Sequence, residues 1–158
     1  MKIIDTIKNS YLGLIKFASS FKTLFLLAIR LLWGFLFFQS GFGKLANIAG
    51  TTDFLQSLGI PFPDLSAYLL AWTETVGGIC LMVGFASRLV SLPLMFAMLM
   101  AMLTAHFTSF KAGFSDPSQL FKQSPFTYFL TSLIIFVFGP GKISLDYFFE
   151  KLTKSKIE

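Results

Sequence analysis

The sequence predicts an all-α integral membrane protein, a four-helix bundle that spans the bilayer and carries an amphipathic surface helix at each end. Hydrophobic residues make up 54% of the 158 residues, and the mean hydropathy is +0.72, too apolar for an ordinary soluble domain of this size. Phenylalanine alone accounts for 21 residues. Four apolar segments are separated by polar connections, which predicts a single domain whose spans lie at roughly residues 22–43, 66–85, 89–107 and 126–138.

The first two elements are an amphipathic helix over residues 2–19 and the span over residues 22–43. In the helix, apolar side chains recur at helical spacing and lysines occupy the other face, so it lies on the membrane surface or packs on the end of the bundle. In the span, one stripe contains Arg30, Gly34, Gly41 and Lys44. A glycine stripe with charges at its ends predicts a helix contact face, since small residues let backbones approach closely.

The first polar connection contains a predicted short helix over residues 53–58, with Thr52 as its N-cap and Gly59 at its end. Pro61 and Pro63 then predict an extended exit, because the residue before a proline is disfavoured in the helical region. We therefore expect an ordered, partly apolar loop at this position.

The second span, over residues 66–85, contains an acidic residue, Glu74. Lipid offers a carboxylate no partner, so this side chain must face protein or water. Gly77 and Gly78 follow at i+3 and i+4 on the same helical face, where another backbone can come close. The link to the third span is so short that spans two and three must be antiparallel neighbours.

The third span, over residues 89–107, is rich in methionine and ends at the single histidine of the chain, His106. The fourth span, over residues 126–138, stops at a Gly-Pro-Gly sequence. Ser144 then caps a second amphipathic helix, and Asp146 caps or pairs at the same end of the bundle.

The distribution of basic residues predicts the orientation. Lysines and arginines concentrate near both chain ends and in the link between spans two and three, which predicts that both termini lie in the cytoplasm. The net charge of +5 therefore reflects topology and lipid contact, and no nucleic acid partner is predicted. One histidine and one cysteine, Cys80, offer neither a disulfide nor a metal site.

Three motifs follow one another along the chain: RLLWGFLFFQSGFGKL at residues 30–45, ETVGGICLMVGFASR at residues 74–88 and GPGKISLD at residues 139–146. Together they resemble the DoxX family of small four-span bacterial membrane proteins. The resemblance covers roughly residues 24–146 and implies a compact four-helix membrane bundle. Named members include a terminal quinol oxidase subunit and small subunits of thiosulfate:quinone oxidoreductase. The resemblance thus implies a quinone as the candidate cofactor and an oxidoreductase subunit as the candidate partner.

Glu74 leaves two hypotheses open. In the first it is a proton-handling or quinone-contacting carboxylate with Arg30 as its counter-ion, in a subunit linked to the quinone pool. In the second, Arg30 and Glu74 form a structural pair that fixes helix register in a non-catalytic scaffold or assembly factor. Their backbones differ in depth by about 8 Å in a hydrocarbon core of about 30 Å, which an arginine side chain and helix tilt can bridge. Lys44 and His106 are the alternative partners; Arg30 is preferred because it would otherwise lie unpaired in hydrocarbon.

Five further residues are candidates for contact with a cofactor: Trp33, Gln39, Lys44, Trp72 and His106. The tryptophans either pack in the bundle or form the wall of a ring-stacking pocket. Gln39 can hydrogen-bond across helices, and Lys44 anchors the end of the first span. His106 either relays protons or is an ordinary interfacial residue. The oligomeric state is not predicted.

Overall fold

The computed structural model describes residues 2–154, apart from the side chains of residues 2–10, 16 and 154. Within this part of the chain the regular elements are all α-helices, which confirms the predicted all-helical fold class. The helices described are α1 (Lys2–Ala46), α2 (Ile48–Ser57), α3 (Pro63–Val83), α4 (Ser87–Leu103), α5 (Phe107–Ala112), α6 (Ser118–Phe121), α7 (Ser124–Phe138) and α8 (Leu145–Lys154).

The first helix, α1, is unbroken over 45 residues and is therefore about 68 Å long at about 1.5 Å per residue. The prediction of a separate surface helix before the first span is wrong. Residues 17–24 contain neither proline nor glycine, and extending an existing helix costs less than nucleating a second one. The amphipathic pattern predicted over residues 2–10 lies outside the described side chains.

The predicted glycine stripe is the contact face between α1 and α3. A Cβ atom at Gly34 would lie 2.9 Å from the carbonyl oxygen of Gly78. A Cβ atom at Gly41 would lie 2.7 Å from the carbonyl oxygen of Ala71. These distances are too short for real side chains, so the two backbones approach closely only because both positions on α1 are glycine.

The other two long helices, α4 and α7, complete the packed core. The link between α3 and α4 is short, as the sequence predicts, but it lies at residues 84–86 and not at 86–88, because Gly84, with a φ of +76°, ends α3. Helix α4 packs along α7, and α7 also contacts α1. The cluster of buried side chains between these helices contains Phe37, Leu81, Leu94, Met98 and Ile135.

In the connection between α1 and α3, the residue that caps the N-terminus of the short helix α2 differs from the predicted one. Asn47 caps α2, because its side-chain oxygen accepts a hydrogen bond of 3.2 Å from the Gly50 amide, and Thr52 lies inside the helix. Gly59 ends this segment as predicted, with a φ of +73°. The extended exit is shorter than predicted, because Pro63 is the first residue of α3, where a missing amide hydrogen costs no helical bond.

The later connections contain more helix than the sequence indicates. Helix α4 ends at Leu103, so His106 lies beyond it as the N-cap of α5. The short helix α6 then precedes α7. Gly139, with a φ of +74°, ends α7, and the Ser144 hydroxyl accepts a hydrogen bond of 3.2 Å from the Tyr147 amide, which confirms the predicted cap of α8.

Two helical stretches among the described residues have the length and apolar character to cross a bilayer. They are Tyr11–Ala46 and Pro63–Val83, which contain 18-residue windows with mean hydropathies of 1.8 and 1.3. Helices α4 and α7 are also apolar, but they have 17 and 15 residues. A bilayer core of about 30 Å is usually crossed by about 20 residues.

Candidate functional site

The buried acid of α3, Glu74, pairs with a lysine of α1. The Nζ atom of Lys44 lies 2.5 Å from Oε2 of Glu74 and also donates a hydrogen bond of 2.7 Å to the Ser40 hydroxyl one turn earlier. The Glu74 side chain is 2% exposed and that of Lys44 is 27% exposed. The close approach of the helices at Gly41 brings these side chains together, since Gly41 packs on the backbone of α3 beside Thr75.

The expected pair between Arg30 and Glu74 is not formed. The Arg30 guanidinium donates to four backbone carbonyl oxygens: those of Leu81 at 2.9 Å, Met82 at 3.0 Å, Pro140 at 2.5 Å and Ile143 at 2.8 Å. The last carbonyls of a helix lack partners inside that helix, and a guanidinium has five donors in a fixed fork. Arg30 therefore links the end of α3 to the Gly-Pro-Gly turn, about 21 Å along α1 from Lys44.

Asp146 completes the structure around Arg30. Its carboxylate oxygens accept hydrogen bonds from the amides of Ala86, at 2.6 Å, and Ser87, at 2.9 Å. These amides lie at the start of α4, where helical amides have no acceptor within the helix and a negative charge is favoured. The sequence-based alternatives for Asp146 are therefore decided in favour of a cap, which stabilises the link where Ala86 adopts a φ of +47°.

A cavity of about 810 Å³ adjoins the Lys44–Glu74 pair. Its wall is largely apolar and includes Phe37, Phe54, Leu55, Phe96, Met98 and Met100. Its polar side chains include Ser40, Lys44, Thr73, Glu74, His106 and Tyr128. A cavity of this size with a few converging polar groups is typical of sites for small amphiphilic molecules.

The hydrogen-bonding groups of this cavity that have no hydrogen bond to a described residue include the Tyr128 hydroxyl of α7 and the imidazole of His106 before α5. The Tyr128 ring packs edge-on against Phe37, with 4.6 Å between the ring centroids, so the ring is held while its hydroxyl is available. Sequence reasoning missed Tyr128; the signal that could have identified it was a tyrosine, whose ring is apolar and whose hydroxyl needs a partner, in the fourth span.

The structure brings three of the predicted site residues together and leaves four apart. Glu74, Lys44 and His106 line the cavity. Arg30 lies at the other end of the helices, and the remaining three, Trp33, Gln39 and Trp72, are not part of the cavity wall. The side chain of Trp72 is 54% exposed on the outside of α3. Gln39 is exposed without a hydrogen bond to any described residue, because its position on α1 faces away from α3.

The residues present fit an amphiphilic ring better than a metal ion. Among residues 2–154, within the limits of the described side chains, no group of three His, Cys, Asp or Glu residues could hold a metal. In contrast, the aromatic and methionine walls suit a flat apolar ring, and His106 and Tyr128 can donate hydrogen bonds to ring oxygens. Glu74 can exchange a proton at the same wall.

Comparison with known proteins identifies relatives of the chain. The DoxX family model matches residues 25–107, more than half of the chain, a region that contains Lys44, Glu74 and His106. The chain is 29% identical over 129 residues to "Putative oxidoreductase CatD" of Bacillus subtilis, which covers 82% of this chain and 90% of that protein.

Two relatives come from Escherichia coli. The inner membrane protein YqjF is 29% identical over 126 residues, covering 79% of this chain and 92% of that protein. The inner membrane protein YphA is 28% identical over 122 residues, covering 77% of this chain and 87% of that protein. No solved structure matches the chain at a significant level.

Proposed function

The chain belongs to the DoxX family of membrane proteins, and from this premise we propose that it crosses the bacterial inner membrane four times with both termini in the cytoplasm. The outward faces of its long helices support this topology. They expose large apolar side chains, including Leu31, Phe35, Leu69, Trp72, Val76, Leu92 and Val137. Such a surface is unfavourable in water and favourable in lipid.

Two further observations support four spans over two. Helix α4 follows α3 through the short link over residues 84–86, contacts α3 and packs along α7, so a bilayer around α1 and α3 would also surround these apolar helices. Their shorter length of about 23–26 Å can be matched by local thinning of the bilayer. The similarity to two inner membrane proteins and the basic residues near both chain ends support the location and orientation.

We further propose that the cavity beside Glu74 binds a quinone or its quinol and that Glu74 exchanges a proton with a ring oxygen. One observation carries this proposal: a sheltered carboxylate, held by Lys44, faces a mostly apolar cavity in which Tyr128 and His106 remain available as donors. Oxidation of a quinol to a quinone releases two protons and two electrons. The electrons pass to a partner oxidoreductase in this proposal; the name of the relative CatD supports redox chemistry in general.

Each polar residue of the cavity has a distinct role in this proposal. Lys44 orients Glu74 and balances its charge, while Ser40 fixes the lysine by accepting its second hydrogen bond. Tyr128 and His106 bind ring oxygens as donors, which fixes the orientation of the ring. The aromatic and methionine side chains bind the ring by apolar contact and keep water away from the carboxylate.

The variant Glu74→Gln tests this role, because glutamine keeps the shape of the side chain and still accepts a hydrogen bond from Lys44 but cannot take up a proton. Parent and variant are compared in lipid nanodiscs that contain ubiquinone or menaquinone. We expect quinone binding to weaken about tenfold, by loss of one charge-assisted contact. We also expect loss of the carboxyl band from the infrared difference spectrum on quinone reduction.

Asp64→Asn is the matched control, since Asp64 lies in the first turn of α3, is exposed, and does not line the cavity. This variant should keep both the affinity and the carboxyl band. Absence of quinone binding by the parent would overturn the proposal. An unchanged carboxyl band in Glu74→Gln would remove Glu74 from the proton exchange.

A non-catalytic scaffold is the second candidate, and the Lys44–Glu74 ion pair is the observation that favours it. The pair joins α1 to α3 next to the close backbone contact at Gly41, where it can fix the register of two packed helices. The double variant Lys44→Met with Glu74→Leu distinguishes the two candidates. If it folds and restores the phenotype of a deletion strain, the scaffold is supported and the proton-exchange role is excluded.

A further inference from the structure

A second cleft, of about 610 Å³, lies at the end of the helices opposite the Glu74 cavity. It lies between α1, the link that precedes α4, the Gly-Pro-Gly turn and α8. We call it the basic cleft, because three cationic side chains line it: Lys22, Arg88 and Lys142. Neither the proposed quinone site nor the Arg30 hydrogen bonds use these side chains.

The three cations outnumber the two carboxylates, Asp146 and Glu150, that line the same cleft. Arg88 and Lys142 form no hydrogen bond or ion pair with a described residue, and Lys22 has only the Phe138 ring, 5.5 Å from its Nζ atom. Asp146 also lines the cleft, but both of its oxygens accept hydrogen bonds from the start of α4. The lining thus carries three positive and two negative side chains, and Arg88 and Lys142 have no anionic partner among the described residues, so an external anion can pair with them.

The position of Arg88 is set by the turn beneath it. A Cβ atom at Gly139 would lie 3.2 Å from one terminal nitrogen of the Arg88 guanidinium, so the guanidinium rests against a bare backbone. A guanidinium held in this way keeps its planar fork available on the open side. Planar forks match the geometry of phosphate oxygens and bind them through two parallel hydrogen bonds.

We propose that the basic cleft binds the phosphate of an anionic phospholipid headgroup in the cytoplasmic leaflet. Two exposed apolar side chains, Leu89 and Phe138, line the cleft together with the cations. A phospholipid has the same combination, with acyl chains attached to a charged phosphate, whereas a free phosphate ion would leave these apolar side chains without contact. Basic pockets between membrane helices on the cytoplasmic side commonly bind anionic headgroups. This proposal rests on the proposed membrane topology and is independent of the quinone site.

The test compares lipids bound by the purified full-length chain. The chain in detergent is incubated with phosphatidylglycerol or phosphatidylcholine, and retained lipid is counted by native mass spectrometry. We expect preferential retention of phosphatidylglycerol, reduced about tenfold in Arg88→Gln and to a similar degree in Lys142→Gln, because each loses a charge-assisted hydrogen bond to the phosphate. Inorganic phosphate is added in a separate arm, at the same concentration as the lipid.

Lys151→Gln is the matched control, because this substitution also removes one positive charge. Lys151 is exposed on α8 and does not line the basic cleft. It should retain phosphatidylglycerol as the parent does. An equal loss in Lys151→Gln would overturn the proposal in favour of diffuse charge attraction. Displacement of the lipid by inorganic phosphate would also overturn it, in favour of a free anion. Thermal unfolding in phosphatidylcholine alone verifies that each variant is folded; if one cleft variant does not fold, the other decides the proposal.

Discussion

The two ends of the helices each hold a buried charge on α1 or α3, and the two charges are treated in opposite ways. At one end, Arg30 donates hydrogen bonds to four backbone carbonyl oxygens, and Asp146 caps the neighbouring helix. At the other end, Glu74 has a side-chain partner, Lys44, and faces a cavity with further donors. Both residues are ionisable groups in apolar helices, yet only Glu74 lines the cavity beside Lys44.

This difference shows that a buried charge in a membrane helix is only a starting point for assigning function. What separates Arg30 from Glu74 is the identity of their partners. Backbone carbonyls at a helix end must be satisfied in any case, so a guanidinium bound to them is part of the folded structure. A carboxylate held by a partly exposed lysine beside a cavity can change its partner or its proton.

Loss of Arg30 should have the largest effect on stability. In Arg30→Met the charge and four donors are removed, and buried carbonyl oxygens of α3 and the Gly-Pro-Gly turn lose their partners. We expect the free energy of unfolding to fall by about 3 kcal/mol or more, measured by chemical unfolding in mixed micelles. Lys22→Met, at an exposed position of the same helix, should change it by less than about 0.5 kcal/mol. Similar effects of both variants would show that Arg30 is not a structural link.

The close backbone contact between α1 and α3 is tested by Gly78→Ala. A Cβ atom there would lie 2.5 Å from the carbonyl oxygen of Gly34 and 3.0 Å from Cα of Phe38, both backbone atoms that cannot rotate away. We expect a loss of about 1–3 kcal/mol in the same unfolding measurement.

Gly43→Ala is the control, because a Cβ atom at Gly43 would meet nothing within 4 Å. Alanine should stabilise α1 there by up to about 1 kcal/mol. Destabilisation by both alanines, to the same extent, would contradict the close packing of α1 on α3.

Two double-mutant cycles measure how strongly Glu74 interacts with Lys44 and with Arg30. The cycle of Lys44→Met with Glu74→Gln should give a coupling energy of about 1 kcal/mol, at the lower end for contacting residues because Lys44 is partly exposed. The cycle of Arg30→Lys with Glu74→Gln should give less than about 0.5 kcal/mol, since these residues are not in contact. A larger coupling for Arg30 than for Lys44 would restore the pairing that the sequence favoured.

The smallest effect on stability is expected for substitution of an exposed carboxylate, Asp116. It provides a reference for Glu74, which is buried. Hydrogen bonds from the side chains of Ser118 and Gln119 and from the Ser118 amide lower the pKa of Asp116. Because the folded pKa lies below the unfolded one, this stabilisation is present above the ordinary carboxyl pKa and is lost as pH falls through the folded pKa.

The unfolding temperature should therefore fall slightly more steeply in the parent than in Asp116→Asn as the pH is lowered through and below the ordinary carboxyl pKa. Asp53→Asn serves as the control, since Asp53 has no such hydrogen bonds to described residues and should leave the steepness unchanged. Equal slopes in the parent and Asp116→Asn would show that these hydrogen bonds do not persist in solution.

Local patterns in the sequence were sufficient to predict several features. The spacing of Gly34 and Gly41 predicts the contact face of α1, and Ser144 and the Gly-Pro-Gly sequence predict where α8 begins and α7 ends. These features depend on neighbours along the chain or on the period of the helix, which the sequence contains directly. The shelter of Glu74 follows in the same way, because an acid in an apolar helix must avoid lipid.

Only the tertiary structure decided which partner each charge takes. Lys44, His106 and Arg30 all lay within plausible reach of Glu74, and the sequence does not record the rotation and depth of one helix against another. The hydrogen-bond acceptors of Arg30 could not be predicted from the identities of side chains, because they are backbone carbonyl oxygens of α3 and of the turn after α7. Tyr128 joins the cavity from a helix more than 50 residues away from Glu74 in the chain. Side-chain identity thus determined that the charges needed partners, and helix packing determined which groups came within hydrogen-bonding distance.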